Sequence, residues 1–166
     1  MEEEKKDIDE IEEGKLWLGS FDPGNVNALK EKGITKILSL MDGNSSNFSY
    51  KEQGFNQKII NIMDYDTENI IQYFGECINF IEGKDKVLVH CIFGKSRSAS
   101  IVVAYLMWKE KRSLDDALNF VNQKRPIAVP NTGFQKQLKI FEELLKDNKY
   151  NLSKIDFKKV EWDYKS

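Results

Sequence analysis

The sequence predicts an α/β domain, a central and mostly parallel twisted sheet flanked by helices. Three observations point there. Short apolar runs of strand length alternate with amphipathic stretches of helix length along the chain. The run Val87-Leu88-Val89 is apolar at every position, as in a strand covered on both faces. Gly33 and Gly83 close helical stretches, and Pro126 and Pro130 break the chain before the last one.

In order, Lys15 to Gly19 alternates and reads as a short strand. Val26 to Lys32 reads as a short helix, closed by Gly33 at the position where a left-handed residue ends a helix. Ile34 to Met41 and Lys58 to Met63 read as buried strands, separated by a Gly-, Asn- and Ser-rich loop from Asp42 to Gln53. Ile70, Phe74, Cys77, Ile78 and Ile81 recur at helical spacing, which predicts an amphipathic helix from Asn69 to Glu82. A further helix is expected from about Ser96 to Lys111. Ser113 heads a capped helix running to Lys124, and Thr132-Gly133-Phe134-Gln135 has capping-box form before the last helix. The expected organisation is a polar N-terminal arm (1–9), one catalytic domain (10–146) and a C-terminal extension (147–166). The scattered aromatics of that extension fit a tail or a packed segment equally.

Composition narrows the class. The chain has 166 residues, 40% of them apolar, with a net charge of -2. That suits one soluble globular domain and gives no reason to expect nucleic acid or a membrane surface as partner. The charged start is no signal peptide, and neither a lipidation signal nor a membrane anchor is read. Two cysteines, Cys77 and Cys91, are too few for a disulfide scaffold, so a reducing cytoplasmic or nuclear setting is expected. A site for an anion must then be local.

The segment Val87 to Ser98 supplies one: a strand ends, a short loop follows and a helix begins. Successive backbone N–H groups from Ile92, Phe93, Gly94, Lys95 and Ser96 form an anion nest there, and the following helix N-terminus adds its positive dipole end. Gly94 permits the tight backbone. Arg97 can grip two oxygens of a tetrahedral anion. Cys91 sits at the base, where dipoles of that sign favour a thiolate. Ser98 can donate a hydrogen bond to the sulfur, and His90 orients the loop. A lone cysteine is more often a core thiol and a lone arginine a surface charge. The combination His-Cys, then Gly, then Arg-Ser, at a strand–loop–helix junction, disfavours both readings.

His90-Cys91, five residues and Arg97-Ser98 resemble the loop of the protein tyrosine phosphatase superfamily, and Gly94-Lys95-Ser96-Arg97-Ser98 is similar to its dual-specificity branch. The likeness extends to Gly33–Leu38, to Ser98–Met107, to Arg125-Pro126 and to Pro130–Phe134 with Gln137-Leu138. It implies a protein phosphatase acting on phosphoprotein through a phosphocysteine, with no metal or cofactor. Such a reaction needs a proton donor, and the residues alone offer Asp64 or Asp66. The family's spacing to Asn69-Ile70 selects Asp64. The resemblance also places Asn131 near the loop, although a turn or cap role fits it equally. Cys77 reads as core. Lys95 is either solvated or a bias toward highly charged substrates. The weighed alternatives are a phosphoinositide phosphatase of the same fold, a phosphoprotein-binding module without turnover, and a sulfurtransferase.

Overall fold

The computed structural model describes residues 6–42 and 47–165. Five strands form one sheet in the order β1-β2-β5-β3-β4: β1 (Ile8–Glu12), β2 (Leu16–Gly19), β3 (Ile34–Leu40), β4 (Asn56–Ile60) and β5 (Lys86–His90). Only the β1–β2 pair is antiparallel; β2–β5, β5–β3 and β3–β4 are parallel. The expected sheet is therefore present, with β5 at its centre.

Side-chain alternation explains the layers. Leu16, Leu18, Leu38, Leu40, Val87 and Val89 point to one face and join the larger core. That face is covered by α2 (Phe74–Ile81), α3 (Arg97–Lys109), α4 (Leu114–Lys124) and α5 (Thr132–Asp147). Trp17, Ile37 and Leu88 point the other way, into a smaller core closed by Leu29 of α1 (Val26–Glu31), Tyr50 and Phe55. Helix α3 is buried from Arg97 to Met107, so its sequence is apolar all round rather than on one stripe. No helix among the described residues is long and apolar enough to cross a membrane.

Several boundaries differ from the sequence reading. The strand read as buried over Lys58–Met63 spans Asn56–Ile60, at the sheet edge, and only Ile60 in it is buried. The arm expected over residues 1–9 lies outside the described residues up to position 5, but Ile8–Glu12 is a strand. Its two isoleucines stand among acidic residues and gain cover only by pairing with β2. The long amphipathic helix begins later, at Phe74, after a 3-10 turn over Ile71–Tyr73. The last helix is capped by Asn131 rather than Thr132, with the Asn131 Oδ1 accepting from Phe134 N at 2.8 Å.

The C-terminal extension is packed. Trp108 Nε1 donates to the Tyr150 carbonyl at 3.0 Å, and Ile155 joins the larger core. The Phe157 ring lies on Gly75 of α2 and beside the Phe141 ring, centroids 5.9 Å apart. Lys158 pairs with Glu76 at 3.5 Å and sits over the Tyr73 ring. The segment thus clasps the turn and helix that follow the Asp64 loop.

A Cβ on Gly75 would lie 2.7 Å from the Phe157 ring. Helix propensity alone would make Gly75→Ala stabilising by about 1 kcal/mol. With the ring in place it should instead destabilise, and Phe157→Ala should cost about 2 kcal/mol. In the double variant the alanine at 75 should become favourable again. Urea unfolding of the four proteins checks this; a stabilising Gly75→Ala in the otherwise unchanged chain would contradict the packing.

Candidate active site

The loop after β5 is shaped from behind. His90 Nδ1 meets the Cys91 carbonyl at 3.1 Å, and Phe21 N donates to the Ile92 carbonyl at 3.0 Å. The Arg125 guanidinium donates to the Phe93 and Gly94 carbonyls at 2.9 and 2.8 Å. Val129 N donates to the Lys95 carbonyl at 2.8 Å, and Ser100 donates to the Ser96 carbonyl through both N and Oγ. Every carbonyl from 91 to 96 is thereby drawn outward. In a trans peptide the next N–H points the opposite way, so the N–H groups of residues 92–97 turn inward. That is an anion nest, and the N-terminus of α3 opens on it.

Gly94 is required twice over. Its φ is +65°, and a Cβ there would fall 2.6 Å from the Gly19 backbone and 2.7 Å from Arg125 Nη2. Arg125 is buried, and Asp7 and Asp9 meet its guanidinium at 2.8 and 2.9 Å. Burial works against that charge, and the two carboxylates outweigh it. Sequence reading quoted Arg125-Pro126 for its resemblance alone and gave Arg125 no role in the loop. A charged residue next to proline after a helix carries no signal of burial.

At the base of the nest, Cys91 Sγ and Ser98 Oγ are 3.0 Å apart, and Cys91 is buried. Arg97 Nη1 donates to the Ile62 carbonyl at 2.9 Å. Its Nε is buried with no acceptor in the protein, a donor suited to an incoming oxyanion. Lys95 is exposed on the rim.

His90 belongs to a buried chain. Its Nε2 meets Ser39 Oγ at 2.6 Å, and Gln57 Nε2 donates to that same oxygen at 3.0 Å. A carbonyl can only accept, so Nδ1 carries the proton and Nε2 accepts from Ser39. The Phe21 and Tyr50 rings pack on the imidazole. Burial lowers its pKa to about 4, the Arg97 charge acting the same way and the Cys91 carbonyl opposing. A neutral imidazole, walled in and bonded to the Cys91 carbonyl, has no route to act as a base. Tyr50, one of the aromatics of the Asp42–Gln53 loop, is therefore core behind the nest and not a wall of it.

The Asp64 loop is tied to the nest at three points. Asn131 Nδ2 donates to Asp64 Oδ1, and Asn131 N donates to Ser96 Oγ, both at 2.8 Å. Arg97 holds the Ile62 carbonyl just upstream. The Asp66 backbone lies so close to Gly133 that a Cβ there would overlap its carbonyl. Asn131 is thus both a helix cap and a link to the site. Of the two candidate acids, Asp64 is the one with its carboxylate held by Asn131; both line a depression that Lys95 and Ser96 also border.

Cys77 is buried in the core on α2, where burial pushes its thiol pKa up. Both cysteines are free thiols. Among the described residues, no cluster of His, Cys, Asp and Glu could hold a metal ion.

A cysteine at the base of an amide nest, with an arginine and a helix N-terminus facing it, defines a thiol-based enzyme for tetrahedral oxyanion esters. Residues 16–144 match the dual specificity phosphatase catalytic domain. The chain is 42% identical over 142 residues to dual specificity protein phosphatase 1 of Arabidopsis thaliana, covering 80% of this chain and 68% of that one. It is 36% identical to dual specificity protein phosphatase 1B of the same plant, covering 86% of each. Among solved structures, the human tyrosine phosphatase-like serine/threonine/tyrosine-interacting protein superposes with a TM-score of 0.79 at 33% identity, over 86% of this chain and 99% of that one. The chain belongs to the dual specificity phosphatase family and is a cysteine-based protein phosphatase.

The sole histidine allows a direct check. Imidazole NMR should show the neutral Nδ1–H form until the pH falls to about 4. The sign follows from the lowered pKa. Above the ordinary 6.5 the neutral ring is no liability. As pH falls from there to about 4 the unfolded chain alone takes up the proton. His90 should then cost stability at about 1.4 kcal/mol per pH unit. An imidazolium signal at pH 6 in the folded protein would contradict the buried chain.

Proposed function

We propose that Cys91 is the nucleophile of this phosphatase and Asp64 its general acid and base. The observation that carries the reading is the set of outward-bound carbonyls from 91 to 96, which aims six N–H groups at the space above Sγ. The Cys91 sulfur attacks phosphorus in line, forming the S–P bond as the P–O bond to the leaving group breaks. Asp64 gives its proton to the departing oxygen. Water then attacks phosphorus, passing a proton to the Asp64 carboxylate, and the S–P bond breaks to release inorganic phosphate. The Ser98 hydroxyl donates to the sulfur as it leaves. Arg97 and the N–H groups from Ile92 to Arg97 stabilise the equatorial oxygens in both steps. Asn131 holds Asp64 at the mouth, and His90 positions the loop without touching the substrate.

The substrates are phosphoproteins, phosphorylated on tyrosine or on serine and threonine. Of the described residues in the loop 42–53, the candidate wall of a deep slot, Tyr50 is committed to the core. A cytoplasmic or nuclear setting fits two free thiols. The phosphoinositide alternative rests on Lys95 alone, and Asp64 and Asp66 line the same depression and offset it. The binding-module alternative leaves Cys91 and Asp64 without a purpose, and the sulfurtransferase alternative leaves Arg97, Ser98 and Asp64 without one.

Cys91→Ser should abolish turnover while the protein stays folded and still binds phosphopeptide. Asp64→Asn should lower kcat by roughly 10²–10⁴ on substrates with poor leaving groups and less on good ones. Asp66→Asn should stay near the unaltered enzyme. Steady-state kinetics with alkyl and aryl phosphates reads all three. A large loss in Asp66→Asn with none in Asp64→Asn would reverse the assignment of the acid.

A further inference from the structure

Seven large apolar side chains are exposed among the described residues, and five of them sit on the three loops around Cys91. Phe93, 70% exposed, stands on the nest loop itself. Ile127 and Val129 stand on the α4–α5 connection, and Met63 and Tyr65 on the Asp64 loop. Single exposed apolar residues are ordinary, but their concentration around one site is not.

The three loops form one rim. Val129 N is bonded to the Lys95 carbonyl, which stitches the α4–α5 connection to the nest. Arg97 holds Ile62, next to Met63. Tyr65 and Val129 line the same depression, about 560 Å³, that Lys95, Asp64 and Asp66 border. The depression therefore offers apolar walls, two carboxylates and one cation.

We propose that this rim selects phosphoprotein segments carrying a bulky apolar side chain beside the phosphorylated residue. The inference rests on the phosphatase reading above and names its substrate class. The phosphate satisfies the nest, and the neighbouring side chain covers part of Ile127, Val129 or Tyr65. Acidic neighbours meet the Asp66 carboxylate and are disfavoured. The same carboxylate argues against an anionic lipid surface, which an apolar rim would otherwise suit only with a basic surround. The chain's net charge of -2 supplies no such surround.

The test uses the full chain and matched phosphotyrosine peptides that differ only in the flanking residues: leucine or phenylalanine, serine, or glutamate. An aryl phosphate without a peptide is the control. The apolar-flanked peptide should exceed the serine-flanked one in kcat/KM by about tenfold, and the glutamate-flanked one by more. The double variant Tyr65→Ser/Ile127→Ser should lose that preference and keep its rate on the aryl phosphate. Binding of the same peptides to Cys91→Ser makes the same comparison without turnover. If the aryl phosphate is not hydrolysed, the catalytic reading fails, and those binding constants alone judge the rim. Equal kcat/KM or Kd across the peptides, or a preference for glutamate, would overturn the proposal. So would sedimentation with phosphatidylcholine vesicles that the double variant abolishes, in a protein without peptide preference.

Discussion

The structure depends on one constraint: a six-residue loop must keep its carbonyls outward so that its amides converge on one point. Amides gathered that way repel one another and favour any conformation that scatters them. The fold opposes this with a donor for each carbonyl, and the donors come from distant parts of the chain. His90 is on β5, Phe21 follows β2, Ser100 is on α3, Arg125 ends α4 and Val129 lies before α5. Five separate donor residues hold the nest, from β5, α3, the end of α4 and the segments after β2 and α4.

Arg125 accounts for a part of the fold that otherwise looks dispensable. A guanidinium buried behind the nest would add positive charge to an already positive site and lose its own solvation. Asp7 and Asp9 neutralise it, and they are held in place because Ile8–Glu12 pairs with β2. The acidic strand at the edge of the sheet is thus connected to the phosphate site through one side chain. The acid loop has an analogous tether. Asn131 spans Asp64, Ser96 and the first turn of α5, so the Asp64 carboxylate and the nest are held by the same residue.

Much of this was legible in the sequence where it is local. The β5–loop–α3 junction carries its strand, its glycine, its cysteine and its arginine within a dozen consecutive residues, and the strand, loop and helix stand where they were read. The central sheet and its helices follow from periodicity. What escaped was non-local. Nothing in the spacing of Ser39, Gln57 and His90 signals a hydrogen-bonded chain, since they lie on three strands that only the sheet brings together. Strand β1 looked like a charged arm because its two isoleucines stand among acidic residues and fall on opposite faces, so no apolar alternation shows. The clasp over α2 has no period, being built of 3-10 turns, so Phe157 gave no pattern to follow. Thr132 and Asn131 are both good caps, and the choice of Asn131 depends on Asp64, which approaches only in the folded chain.

The central claim is that the nest serves a covalent step at Cys91. Mixing the Asp64→Asn variant with an aryl phosphate, quenching in acid within the first turnover and mapping the digest by mass spectrometry tests it directly. With the base for the second step removed, one phosphoryl group should accumulate on the peptide containing Cys91 and none on the peptide containing Cys77. Turnover with no adduct on Cys91, or an adduct on another residue, would contradict the account.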